Sequence, residues 1–141
     1  MGDSGFTSRL TSGKFVLTAE ITPPTSLDPA ALLAKVEPLR GLADGVNITD
    51  GASARAAMDP LAAAALMLQA GVEPIMQLTC RDRNRIALQG SVIGAGALGV
   101  RAFLCLTGDD PKIGDQPETK GVFDIGSTDL IQQMTAIGAG T

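Results

Sequence analysis

Four short apolar runs, each cut off by proline, glycine or charge and each followed by residues at helical spacing, constrain this chain more than any other feature. Such alternation is the mark of a parallel α/β sheet, because parallel neighbours need a long crossover and a helix usually supplies it. The runs cover residues 15–21, 45–49, 73–78 and 101–106. Between them, Asp28-Pro29 and Asp59-Pro60 each read as a helix N-cap followed by proline at the first helical position. Leu32, Val36 and Leu39 are expected to mark the apolar stripe of the first helix, and Leu61, Ala65 and Leu68 that of the second. A third helix is predicted over residues 82–97 with Ile86 and Ile93 among its apolar positions, and a fourth from Ser127 or Thr128 with Leu130, Ile131 and Met134.

The last two runs end in polar, mixed-charge segments: Gln77-Leu-Thr-Cys-Arg-Asp-Arg-Asn-Arg85 and Leu106-Thr-Gly-Asp-Asp-Pro111. In a parallel sheet that switch marks the carboxyl edge, where loops build sites. Four β/α units in succession fit two architectures, an open doubly wound sheet or the N-terminal half of a (β/α)8 barrel. At 141 residues the chain falls well short of the roughly 250 of a complete barrel.

Composition narrows the chemistry. Histidine is absent, so a Ser-His-Asp triad, a histidine zinc site and histidine acid–base catalysis are excluded. A net charge of −4 and an aromatic content of 3 % speak against a nucleic-acid binder, which needs a dense basic face and stacking rings. No run is long enough to span a membrane, and the polar stretch at residues 1–12 lacks the apolar core of a signal peptide. Two cysteines without a secretory signal fit a reducing cytoplasm. Cys80 and Cys105 are expected to pack as small apolar residues, since no base accompanies either.

Single residues then sort by position. Glu20 stands among apolar residues at the end of the first run, where a carboxylate must be paired, solvated or functional; without histidine it is the leading general acid. Asp109 and Asp110, with Asp115 further on, are solvated loop acids more readily than a metal site, for which several oxygens must converge; an acid directly after the fourth run also suits a heterocycle's N–H groups. Arg81, Arg83 and Arg85 are expected at a helix start, where one of them has the option of clamping an anion. Gly94-Ala-Gly-Ala-Leu-Gly99 matches the dinucleotide fingerprint by letter, but it ends a helix instead of opening one and is rejected as a cofactor site.

Taken together, Glu20-Ile-Thr-Pro-Pro24, Val46-Asn-Ile-Thr-Asp-Gly51, the segment from Gln77 to Arg85, Leu106-Thr-Gly-Asp109 and Val122-Phe-Asp-Ile125 resemble, in order and spacing, the methylenetetrahydrofolate reductase family. The loop at 79–85 is similar to a bacterial branch with a TCRDRNR loop. The resemblance implies a (β/α)8 barrel that holds FAD at its carboxyl rim and takes electrons from NADH or NADPH. It also implies reduction of 5,10-methylenetetrahydrofolate, a tetrahydrofolate derivative, to 5-methyltetrahydrofolate for methionine synthesis. By the same resemblance Glu20 matches the catalytic acid, and Asp109 the aspartate beside flavin and pterin. Thr49, Asp50, Ala52, Gln77, Thr107, Gly108 and Ser127 match flavin contacts, and no metal is implied. Gln77 stands where many members have histidine, Thr107 replaces a common arginine, and strands five to eight have no counterpart. The expected organisation is a flexible segment over residues 1–14 and a partial, truncated barrel domain over 15–141. Unpaired edge strands lead to the expectation of a homo-oligomer or of assembly with a complementary barrel half.

Overall fold

The structure, a computed structural model, describes residues 5–138. Among them, β1 (Thr18–Ile21), β2 (Gly45–Ile48), β3 (Pro74–Thr79) and β4 (Ala102–Leu106) form one parallel sheet in the order β1-β2-β3-β4. Helices α2 (Pro29–Val36), α3 (Pro60–Gln69) and α4 (Arg85–Leu98) make the crossovers, and α5 (Ser127–Gly138) follows β4. Strand order equal to chain order decides between the two architectures. A doubly wound sheet reverses direction at a switch point, whereas a barrel adds each strand on the same side. This is an α/β fold with the topology of a partial (β/α)8 barrel.

Register sorts the strand residues into two faces. Glu20 pairs with Asn47, Asn47 with Ile75, and Ile75 with Ala102, so this row and those two residues away share the inner face. The opposite face carries Ile21, Val46, Ile48, Met76 and Leu78, which pack with Leu32 and Val36 of α2, Met67 of α3, Leu88 of α4 and Leu130 of α5 into one core. No helix among the described residues is long and apolar enough to cross a membrane.

The predicted caps are present. Asp28 accepts from Ala30 N–H at 2.9 Å and Asp59 from Leu61 N–H at 2.8 Å, each with proline opening the helix. The third crossover helix starts at Arg85, three residues later than expected, because Asn84 caps it through Ala87 N–H at 3.0 Å; Arg81 and Arg83 therefore lie in the loop before it. Two apolar stripes also differ. The buried residues of α3 are Pro60, Ala63, Ala64 and Met67, and those of α4 are Leu88, Val92 and Ala95, while Ile86 and Ile93 face outward. In α3 two alanines flank Met67 against the sheet, whereas in α4 the buried face is Leu88, Val92 and Ala95, one step round the helix from Ile86 and Ile93.

Helix α1 (Gly5–Thr11) lies in a stretch where the sequence pattern marks no element. Its Phe6 covers the lower inner face: a Cβ on Gly45 would sit 2.9 Å from the Phe6 ring and 3.0 Å from Ile75. The Arg9–Asp44 ion pair at 2.9 Å fastens the helix, and Asp44 also accepts from Leu17 N–H at 2.9 Å. The inner face is thus partly covered below by α1, which leaves a cavity of about 530 Å3 against Asn47, Ile75 and Leu104, and it is open above, at the carboxyl rim.

Candidate functional site

Strand parity and strand ends place the site. A cavity of about 300 Å3 opens at the rim, lined by Glu20, Thr49, Asp50, Ala52, Gln77, Thr79, Arg81, Leu106, Thr107, Gly108 and Asp109. Every site residue expected from the sequence except Ser127 borders it. Ser127 stands one contact away, its backbone N–H donating to Thr107 Oγ1 at 3.3 Å.

The lining divides into buried and exposed members. Thr49, Asp50, Gln77, Thr79 and Arg81, from β2, β3 and the segments that follow them, are buried. Glu20, Thr107 and Asp109 are exposed. Glu20 is open because β1 ends the sheet and, among the described residues, nothing covers the upper inner face; its partner is Gln77, whose Nε2 donates to Glu20 Oε2 at 2.8 Å. That amide holds the acid toward the centre of the rim.

Asp50 has an internal role as well. Its Oδ2 accepts from Thr79 N–H at 2.8 Å, Thr79 Oγ1 at 3.0 Å and Arg83 Nη1 at 2.7 Å. Burial lowers the Arg83 pKa, but hydrogen bonding and charge attraction from Asp50, aided by Asp59, outweigh it and leave the net shift upward. The Asp50–Arg83 pair therefore ties the β2 loop to the β3 loop. Thr49 Oγ1 is the opposite case: it is buried with no hydrogen-bond partner among the described residues and borders the cavity. A buried hydroxyl left unpaired costs about 1–3 kcal/mol, so Thr49 is poised to be satisfied by something that enters.

The β2 loop is strained. Ser53 and Ala54 have φ of 56° and 54°, left-handed values that cost a non-glycine residue about 1–2 kcal/mol each. Asp109 Oδ2 holds the turn by accepting from Ser53 N–H at 3.0 Å. Asp110, next in the chain, caps the short turn Pro111–Ile113 through Lys112 N–H at 3.0 Å. Burial pushes both cysteine thiols up in pKa, and Cys105 Sγ lies 3.2 Å from Met134 Sδ, so both behave as packing groups. The Gly94–Gly99 stretch closes α4, as its place before β4 implied.

Two lining residues, Thr79 and Leu106, escaped sequence reading, and a third, Arg81, was named there only as one of three candidate anion clamps. Thr79 and Leu106 carried a signal, the period of two that continues from Gln77 and from Leu104 along the inner face. Arg81 carried only its charge. Its guanidinium is buried, with Nε and Nη2 on Asp82 at 2.8 Å each and Nη1 on the Gly51 carbonyl at 3.0 Å. Hydrogen bonding to Asp82 raises its pKa further. On its other side lies a second cavity of about 270 Å3, bordered by Arg55, Asp59, Gln116 and Thr119.

The family described as methylenetetrahydrofolate reductase matches residues 6–138 of the chain. No curated protein matches it.

Proposed function

The chain belongs to the methylenetetrahydrofolate reductase family, and from that premise we propose that the rim cavity binds FAD beside a methylenetetrahydrofolate. The observation that carries this is the convergence of Glu20, Thr49, Gln77, Thr107, Gly108 and Asp109 on one cavity. The residues fit the group. Thr49 offers an unsatisfied buried hydroxyl, Gln77 an amide, Thr107 a second hydroxyl and Asp109 a carboxylate, the mixed donor and acceptor set that a polar heterocycle requires. When bound, the flavin would accept hydride from NADH or NADPH and deliver it to the methylene carbon of the folate.

The chain's own residues supply the proton and the alignment. Glu20 donates a proton to the folate nitrogen that leaves the methylene carbon, so that this carbon ends as a methyl group and the nitrogen as N–H. Gln77 keeps that carboxyl group in place through its 2.8 Å hydrogen bond. Asp109, fixed by Ser53 N–H, accepts from the N–H edge of the pterin. Thr107 and Ser127, in contact through the 3.3 Å bond, close the rim beside α5. We place this chemistry in the cytoplasm, where the thiols stay reduced.

A second reading rests on the edges. β1 and β4 end the sheet, and Leu104 on the inner face is 42 % exposed. A non-catalytic half-barrel that binds flavin or folate, completed by a second copy or a complementary half, fits that opening. FAD titration followed by flavin fluorescence, beside a sizing column, tests both. Saturable binding with reductase turnover supports the first reading. Saturable binding without turnover supports the second, and no binding overturns both.

A further inference from the structure

We infer that Arg81 is a positioning residue for Asp109: it stands beneath both ends of the Ser53–Asp109 hydrogen bond and fixes where the Asp109 carboxylate meets a ligand. This deepens the reading of the rim cavity as the flavin and folate site and rests on it. Arg81 lies between the β2 loop and the β4 loop and touches each with a different part of its side chain. The head donates to the Gly51 carbonyl at 3.0 Å, two residues before Ser53. The stem lies under Gly108, the residue before Asp109, where a Cβ would come within 2.9 Å of Arg81 Cβ and 3.1 Å of Thr79 Cβ.

Two glycines make this fit possible. A Cβ on Gly51 would run into Arg81 Nη2, and Gly51 and Gly108 have φ of 60° and 102°, which side-chain-bearing residues rarely adopt. The missing side chain at Gly51 admits the guanidinium, and the one at Gly108 admits the Arg81 stem. Its backbone joins a third loop, since Arg81 C=O accepts from Val122 N–H. Asp82 sets the plane of the guanidinium by gripping Nε and Nη2 in bidentate fashion. With the plane fixed, Nη1 aims at Gly51, the loop that follows takes its left-handed turn, and Ser53 N–H points at Asp109. A lysine in place of Arg81 keeps the charge but has no fork to serve Asp82 and Gly51 together.

The test has two arms in the full chain. The first uses no ligand: amide hydrogen exchange at Ser53, with Ala30, held by Asp28 at the start of α2 and not by Arg81, as control. Arg81→Lys is expected to speed Ser53 exchange about tenfold with Ala30 unchanged, as release of one local hydrogen bond requires. Unchanged Ser53 exchange overturns the inference. Should Arg81→Lys fail to fold, Asp82→Asn, at an exposed position, loosens the same guanidinium and is expected to speed Ser53 exchange about threefold; no change there overturns it equally.

The second arm is a double-mutant cycle on FAD affinity. Arg81→Lys is expected to weaken binding about tenfold in the natural chain and less than about twofold in an Asp109→Asn background, the sign of a residue that acts through another. Equal losses in both backgrounds mean that Arg81 is structural only, and the inference fails. Absence of FAD binding by the natural chain sinks the functional reading instead, and Ser53 exchange still decides the clamp.

Discussion

The centre of the sheet and its two edges are built differently. Every residue of β3 is buried, while β1 and β4 each leave residues open to solvent. The functional groups divide along the same line. Thr49, Asp50, Gln77 and Thr79 are held in the buried centre, whereas Glu20 and Asp109 stand at the exposed margins. Groups that shape a binding surface must be rigid, and burial, with hydrogen bonds for Asp50, Gln77 and Thr79, makes them so. Groups that exchange protons or meet a substrate must be reached, and the edges allow that. The centre is finished by its own packing; the edges stay open to solvent.

The largest difference should appear in turnover. With Glu20 as the proposed proton donor, Glu20→Gln is expected to lower the reductase rate by about 10²–10⁴-fold while leaving FAD affinity within about twofold, since Glu20 is exposed and, among the described residues, its side chain is bonded only to Gln77. Steady-state rates beside fluorescence titration measure both. An equal loss in affinity and rate would make Glu20 a binding group and blur the division.

Stability should show the reverse. Leu78→Ala in β3, at a fully buried position, is expected to cost about 2–5 kcal/mol. Leu104→Ala, on the neighbouring strand but facing the open side, is expected to cost less than about 1 kcal/mol. Urea denaturation at several protein concentrations compares them. A large, concentration-dependent cost at Leu104 would show that a second copy or another half covers that face in solution.

Among the carboxylates, Asp50→Asn is expected to cost about 3 kcal/mol, since it leaves Arg83 and Thr79 short of a buried partner. Asp109→Asn, exposed and bonded to a single backbone N–H, is expected to stay near 1 kcal/mol or below. Thermal melts of the two variants rank them, and equal losses would mean that the strained turn at Ser53 is worth as much as the central ion pair.

How legible each region was follows from how local its cause is. The four strands could be read because Pro23-Pro24, Asp50-Gly51 and the charged loops end them within the chain itself. The caps Asp28 and Asp59 were equally plain, since cap and capped residue are neighbours. The faces of α3 and α4 were not, because alanine runs through α3 and alanine with glycine through α4, and large residues stand on both faces: Met67, Leu88 and Val92 are buried while Ile86 and Ile93 are exposed. Helix α1 was illegible because Phe6 is anchored by Gly45 and Ile75, far along the chain. In the site, Glu20 and Asp109 could be named from the change of character at strand ends and from the family resemblance. Arg81 could be named only as one of three arginines with the option of clamping an anion; its burial depends on close approach of Gly51 and Gly108, which sequence spacing does not express.

The smallest effect concerns the tie between edge and centre. The loop after β4 returns to α4 through Asp124, whose Oδ2 accepts from Arg85 N–H at 3.0 Å and Nε at 2.8 Å and whose Oδ1 accepts from Nη2 at 3.1 Å. Hydrogen bonds from the Arg85 side chain and then its backbone hold the Asp124 carboxyl at about 2, below its ordinary 3.8. A group depressed in the folded state stabilises fully above its unfolded pKa and loses that contribution as pH falls through the folded value. The tie should therefore be intact above about pH 4 and released toward pH 2. Because the pair is solvated and screened, its release should loosen the loop and leave the sheet folded. Carboxyl carbon NMR should give Asp124 a midpoint near 2, with the amides of the loop after β4 shifting in step and those of β3 unmoved. A midpoint near 4 would mean that the edge loop is not fastened to α4, and β3 amides moving with it would mean that centre and edge respond as one unit.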